Sequence, residues 1–466
     1  MSYTSDQLVQ SVLGIEQTAQ QVADHVAAGP IAPAVAAGEI RRHLADRFRL
    51  STPMPLEDVV DDVVGMLDRW TVQVSHPRYF GLFNPSVTTA SVVADALVAA
   101  YNPQLAAWGH APAANEIERF TLDRIMEFFG YEPVSCFASF TSGGAEANLT
   151  ALLAALVHRF PELPRVGARG LPQSPTVFAT SQSHHSIHKA AQMAGLGRDA
   201  VREVPIDATG RMDVGALERL VHDEHERGNA PVMVVGTVGG TSTGVIDPLV
   251  EIGHLCREHG IWFHADAAWG GAAALSPRLR SHLDGIELAD SITCDAHKWL
   301  SVPMAAGMFF CRRPDLPLAA FDVPTPYMPA TTTGEVFDPY ANTAQWSRRF
   351  IGLKVFMSLA ERGLPGYAAM IEHQADMGDR LRRALADSGW EIVNHTPLPL
   401  VCFTRDGLDV DRFLQELYDR QIAWMSKVPV NGRPALRACI TSYRTTSQDI
   451  DRVVADVTDL AHALSA

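Results

Sequence analysis

The chain divides by its rhythm of apolar and polar positions. Residues 5–28 and 33–48 space Val, Ile, Leu and Ala at helical intervals, with a break at Gly29-Pro30. That spacing predicts helices. The Pro-punctuated STPMPLE at 51–57 leads into a further predicted helix over 57–70. This N-terminal helical segment, taken as 1–85, is expected to pack on something beyond itself.

From about residue 86 the period changes. TVFATS (176–181), PVMVVGT (231–237), IWFHADA (261–267), SITCDA (291–296) and AGMFFCR (306–312) read as buried strands. Residues 146–160, 185–195, 213–228 and 248–260 read as helices between them. Alternating β and α segments predict an α/β fold, a mostly parallel sheet with helices on both faces. Ligands of such sheets bind at the carboxyl ends of the strands. Residues 321–345 hold four prolines and five threonines with little periodicity, and predict a long loop, either a functional lid or a disordered segment. Helices at 349–363 and 366–387, then short alternating elements, complete the pattern. The expected division is a large domain over 86–363 and a small C-terminal α/β domain over 364–466.

Composition narrows the function. With 38 basic and 53 acidic residues the formal net charge is −15, against binding to nucleic acid or an anionic membrane. At 47% hydrophobic and 20% charged, the 466 residues suit a folded globular protein. No apolar run approaches the roughly 20 residues that cross a bilayer, and the first residues lack the pattern of a secretory leader. Six scattered cysteines, Cys136, Cys256, Cys294, Cys311, Cys402 and Cys439, form no CxxC pair. Reduced thiols and a cytoplasmic location are expected.

Four groups of residues carry chemistry. Asp295-Ala296-His297-Lys298-Trp299 ends a predicted strand among apolar neighbours. A poorly solvated lysine there suits imine formation, although a snorkelling side chain fits the same position. His264-Ala265-Asp266-Ala267-Ala268 ends the preceding strand, about one βαβ unit earlier. Amine and carboxylate would share one crevice, as pyridoxal 5′-phosphate requires: lysine holds the aldehyde, and the carboxylate keeps the pyridine nitrogen protonated. Asp266 alone reads equally as an ion-pair or cap residue. Thr141-Ser142-Gly143-Gly144-Ala145-Glu146-Ala147-Asn148 opens a helix, and small residues at a helix N-terminus suit a phosphate or simply a tight turn. Ser183-His184-His185-Ser186-Ile187-His188 offers an imidazole to stack on a ring or move protons. The i, i+4 spacing of His184 and His188 also fits a metal, but no HExxH or Cys/His cluster accompanies it, and no metal site is expected. GTVGGTSTG (236–244) departs from GxGxxG, and GxxxxGK[ST] and GxSxG are absent.

These motifs resemble the group II amino-acid decarboxylases, fold-type I pyridoxal-phosphate enzymes that include the aromatic-amino-acid, glutamate, cysteine-sulfinate and diaminobutyrate decarboxylases. The resemblance runs from His76-Pro77-Arg78-Tyr79-Phe80 to about Arg444, and DAHKW is its most specific part. It implies pyridoxal 5′-phosphate as cofactor and decarboxylation of an L-amino acid to its amine. By resemblance Lys298 is the imine lysine and Asp266 the pyridinium partner. Ala268 and His184 face the ring from either side. Gly144 and Ala145 bind the phosphate, with His297 nearby and Thr241 as a further contact. Arg437 takes the substrate carboxylate, HPRYF with Tyr79 and Phe80 marks the substrate mouth, and Tyr327 in the long loop returns a proton to the product. Phe83 and Trp108 join the aromatic residues that either line a pocket or fill the core. Relatives often have Asn-Pro-His-Lys where this chain has Asp295-Ala296-His297-Lys298, so Asp295 receives no phosphate role. Alternatives on the same cofactor are aldehyde-forming oxidative deamination and other lyase or aminotransferase chemistry; a silent partner protein of the same fold is the alternative of another class. A homodimer with N-terminal helices wrapped on the neighbour is also implied.

Overall fold

The apolar runs pair into one seven-stranded sheet. The structure, a computed structural model, describes residues 5–323, 325, 336 and 338–465. The strands are β1 (Phe137–Thr141), β2 (Pro175–Thr180), β3 (Val201–Val204), β4 (Ala230–Thr237), β5 (Trp262–Asp266), β6 (Ser291–Asp295) and β7 (Gly307–Cys311). Their spatial order is β1-β7-β6-β5-β4-β2-β3. From β6 to β3 neighbours are parallel, whereas β7 is antiparallel to both β6 and β1. All eight residues of β4 are buried, which explains its unbroken apolar run: both faces are covered.

Helices cover the two faces. Along the chain the helices of this part and of the N-terminal segment are α1 (Ser5–Ala28), α2 (Ala37–Arg47), α3 (Leu56–Trp70), α4 (Thr89–Tyr101), α5 (Pro112–Met126), α6 (Gly144–Arg159), the short α7 (Leu163–Val166), α8 (Ser186–Met193), α9 (Val214–Glu226) and α10 (Leu249–His259), of which α5, α6, α8, α9 and α10 pack on the sheet. Val177, Val235 and Phe309 pack with Ala147, Ala151 and Leu152 of α6 and Ile187 of α8. Their sequence neighbours Phe178, Val234 and Phe310 pack with Leu122 of α5, Leu217 of α9 and Ile252 of α10. Successive residues thus serve opposite cores, the period-2 property of a strand.

The predicted loop is bordered by α11 (Asp315–Phe321) and contains α12 (Pro339–Asn342); Tyr327 lies outside the described residues. The following helix, α13 (Leu353–Asp387), breaks at Gly363 (φ 68°) ahead of Pro365, between the two predicted helices. It begins later than the predicted 349. Arg348 instead forms a buried ion pair with Glu118 at 2.8 Å, and Glu118 also accepts the Gly352 N–H at 2.8 Å.

The C-terminal part adds β8 (Glu391–Ile392), β9 (Leu400–Thr404), α14 (Val410–Asp419), β10 (Ser426–Val430), β11 (Arg433–Cys439) and α15 (Ser447–Ser465). Its antiparallel sheet has the order β10-β11-β9-β8. Among the described residues, no helix is long and apolar enough to cross a membrane.

Candidate active site

Parallel pairing of β5 with β6 sets Asp266 opposite Thr293. Both strands therefore end at the same sheet edge, and the chain turns there into Ala267-Ala268 and into His297-Lys298. The loop after β1 and the start of α6 complete a cavity of about 280 Å³. It is lined by Lys298, Asp266, His184, Ala268, Thr241, His297, Gly144 and Ala145, all singled out from the sequence. Phe83, Ser142, Gly143, Asn148, Trp269, Asp295 and Met304 line it too.

Lys298 Nζ stands 3.1 Å from Asp295 Oδ2, and its side chain keeps 22% exposure, so the amine is open to the cavity. Asp266 is buried. Its Oδ2 accepts from Asn148 Nδ2 at 2.9 Å and its Oδ1 from the Ala268 N–H at 3.2 Å. His184 Nδ1 lies 2.8 Å from Ser186 Oγ and accepts the Ser186 N–H at 3.2 Å. Burial pulls the His184 imidazole below its usual pKa, with the Asp266 carboxylate opposing. His297 Nδ1 accepts the Ala306 N–H at 3.0 Å, and burial lowers this imidazole as well.

The cradle depends on glycine. A Cβ on Gly144 would sit 3.0 Å from Asp295 Oδ2 and 3.3 Å from Ala268 Cβ. On Gly307 of β7 it would meet the Gly143 Cα at 2.6 Å. The backbone at the N-terminus of α6 can therefore approach a ligand where side chains would block it.

Two expectations meet a different geometry. Phe80 does not line the cavity. Its ring is wholly buried in the small-sheet core with Phe403, Phe413 and Leu436. The cause is backbone pairing: Phe80 N–H donates to the Trp424 carbonyl at 2.9 Å, and Phe80 O accepts from Cys439 N–H at 3.0 Å. Tyr79 is likewise buried, its hydroxyl 3.0 Å from Asn84 Oδ1 and its ring 5.3 Å from that of Trp424. Phe83, three residues on, is the aromatic that reaches the cavity, and its left-handed backbone (φ 68°) turns the chain there.

Arg437 is buried behind Phe83, its guanidinium carbon 4.7 Å from the ring centroid. Its Nε donates to Thr241 O at 2.8 Å and its Nη1 to Gly81 O at 3.2 Å, while Nη2 is buried without a partner. It therefore fixes two cavity-wall segments and retains one unused donor. No group of three or more His, Cys, Asp or Glu suited to a metal occurs among the described residues.

Sequence reasoning left Asn148 unassigned. Its Oδ1 accepts from Thr293 Oγ1 at 2.8 Å and lies 3.0 Å from His264 Nε2; its Nδ2 donates to Asp266 and, at 2.9 Å, to Ser186 Oγ. The only sequence signal is an uncapped Asn in the first helical turn facing a core of small residues.

These residues fit a phosphorylated pyridine aldehyde. An amine, a carboxylate held by donors, a glycine cradle that a Cβ would fill and an imidazole border one space, and a buried guanidinium nitrogen beside it lacks an acceptor.

Comparison with known proteins agrees. Residues 40–405 match the model of the pyridoxal-dependent decarboxylase conserved domain. The L-aspartate decarboxylase of Metarhizium robertsii is 31% identical over 367 residues, 77% of this chain and 73% of that relative. The L-2,4-diaminobutyrate decarboxylase of Rhizobium meliloti is 31% identical over 407 residues, 84% of this chain and 79% of the relative. The structure of Catharanthus roseus tryptophan decarboxylase in complex with L-tryptophan shares the fold with a TM-score of 0.88 and 23% identity, across the whole of both chains.

Proposed function

The chain belongs to the pyridoxal-dependent decarboxylase family, and from that premise we propose which of its residues carry the release of carbon dioxide from an L-amino acid. When bound, pyridoxal 5′-phosphate supplies the electron sink for the bond to the departing carboxylate. Lys298 holds the cofactor through Nζ. The backbone of Gly144 and Ala145 takes the phosphate at the positive end of α6, with His297 beside it. Asp266, oriented by Asn148 and the Ala268 N–H, meets the pyridine nitrogen. Ala268, His184 and Thr241, which line the same cavity, would hold the ring.

Arg437 Nη2 is the donor for the substrate carboxylate, because its other donors are anchored to Thr241 and Gly81. Phe83 and Trp269, with ring centroids 4.7 Å apart, form the apolar wall of the substrate space and exclude water. His184 and Tyr327 are the two candidates to return a proton to the substrate carbon. Orientation of the carboxylate by Arg437 selects which bond breaks.

The observation that carries this reading is the convergence of Lys298, Asp266, His184 and the Gly143–Ala145 backbone on one cavity. The test is a screen of L-amino acids, with diaminobutyrate and cysteine sulfinate, against purified protein and added cofactor. Amine and carbon dioxide are expected, together with a visible absorption band that Lys298→Ala removes. Aldehyde with ammonia would favour oxidative deamination, and a protein that takes up no cofactor would leave only the fold.

A homodimer is part of the proposal. α3 has no buried residue, and Leu56, Val60, Val63, Val64 and Leu67 are all exposed on it. An amphipathic helix with an uncovered apolar face suits a second copy of the chain. A cytoplasmic location is supported by six unpaired cysteines.

A further inference from the structure

Resting on the reading of His184 as a residue that faces the cofactor, we infer that Asn148 is a positioning residue. Its amide donates both to Asp266 and, through Ser186, toward His184, a set of hydrogen bonds that leaves the His184 proton on Nε2, so the ring serves the cavity as a donor.

The direction agrees at three places. Trp262 Nε1–H can only donate, and it lies 2.8 Å from Ser291 Oγ. That hydroxyl keeps its own hydrogen to give to His264 Nδ1, also at 2.8 Å. His264 is fully buried and neutral, its pKa lowered to about 4 by desolvation. With that arrangement its one proton sits on Nε2 and points to Asn148 Oδ1 at 3.0 Å, which matches the amide orientation required at Asp266.

The second place is Asp266. Its Oδ2 accepts from the Asn148 NH₂ at 2.9 Å. This gives the same amide orientation as the His264 side. Thr293 Oγ1, 2.8 Å from Asn148 Oδ1, donates in agreement.

The third place is His184 itself. The Ser186 backbone N–H can only donate and lies 3.2 Å from Nδ1. Ser186 Oγ takes the second Asn148 amide hydrogen at 2.9 Å and gives its own to Nδ1 at 2.8 Å. With Nδ1 occupied by donors, the neutral ring carries its hydrogen on Nε2. Asparagine suits the junction because it has one acceptor for two donors and two donors for two acceptors. An aspartate would set a second carboxylate against Asp266, and an alanine would take one partner from each of four buried groups.

The test is long-range proton–nitrogen NMR on protein with labelled histidines, recorded with and without pyridoxal 5′-phosphate. His184→Gln identifies the signals. Wild-type protein is expected to show an unprotonated Nδ1 and a protonated Nε2 in both states. Asn148→Ala is expected to give a mixed ring and, with the amino acid found by screening, a kcat lowered about tenfold with KM changed less. A wild-type His184 protonated on Nδ1 overturns the proposal, as does folded Asn148→Ala with an unmixed ring and the wild-type kcat. Should Asn148→Ala fail to fold, Ser186→Ala removes a single donor: a fall in kcat of about threefold supports the run, and no fall overturns it. An Nε2-protonated His184 in protein that decarboxylates nothing supports the hydrogen-bond run while overturning the functional reading.

Discussion

Lys298 Nζ pairs with Asp295 Oδ2, three residues earlier at the end of β6, at 3.1 Å. Asp266, the other carboxylate of the cavity, is held by neutral donors instead. The two acids therefore do different work. Asp266 is oriented toward the ring position, whereas Asp295 balances the amine and lies beneath the cradle, where a Cβ on Gly144 would come within 3.0 Å of it.

Asp295 should weaken the grip on a phosphate through like-charge repulsion. Asp295→Asn is expected to bind pyridoxal 5′-phosphate about tenfold more tightly, a modest Coulombic effect for charges a few ångströms apart in a partly screened site. Pyridoxal, which lacks the phosphate, should bind the two proteins alike. Equilibrium dialysis with both ligands measures the ratio, and an unchanged ratio would sink the idea.

Arg437→Lys should act on the substrate and leave the cofactor in place. A lysine cannot reproduce the planar fork that spans Thr241 O, Gly81 O and the free Nη2 direction. KM is expected to rise about tenfold or more, with the absorption band of the bound cofactor unchanged. Steady-state kinetics beside an absorption spectrum separates the two effects. Loss of the band without a change in KM would place Arg437 on the cofactor side.

The apolar face of α3 predicts association. Val60 and Val64 are 49% and 50% exposed, and neither touches a core in the single chain. The double variant Val60→Asp, Val64→Asp should therefore fold normally but shift the protein from dimer to monomer in light scattering. A dimer of unchanged stability would move the interface elsewhere.

Much of this was legible in the chain. The central strands announced themselves because burial on both faces demands unbroken Val, Ile and Phe, and their observed ends lie within a residue or so of the expected ones. β1 and β3 escaped for opposite reasons. Phe137–Thr141 mixes Ala and Ser with its aromatics, and Val201–Val204 is an edge strand whose Arg202 and Glu203 meet solvent. Lys298, Asp266, His184 and the glycine pair were readable because each belongs to a local motif at a strand or helix end. Asn148 was not, since its four partners come from β5, β6 and the start of α8. Phe80 was placed at the mouth by the resemblance of HPRYF alone; the pairing with Trp424 and Cys439 and the left-handed turn at Phe83 exchange the aromatic that reaches the cavity.

The buried imidazole behind Asn148 predicts an acid-dependent loss of stability. Desolvation lowers His264 from the ordinary 6.5 to about 4 in the folded protein. Between those values the unfolded chain binds a proton that the folded chain refuses, so stability rises with pH across that window. The contribution is intact above about pH 6.5 and has been lost by about pH 4, an effect of roughly 3 kcal/mol. His76, also lowered to about 4 by burial, works in the same direction. Asp247, raised to about 6 by burial, opposes both, since its contribution is lost as pH rises through 6. A comparison of wild type with His264→Gln isolates one site from this sum. Urea unfolding between pH 4.5 and 6.5 should show the variant releasing about one proton's worth of slope, near 1.4 kcal/mol per pH unit. If the slopes coincide, His264 is already charged in the folded protein and the reading of it as a buried neutral ring falls, whereas the amide orientation of Asn148, required by Asp266, stands.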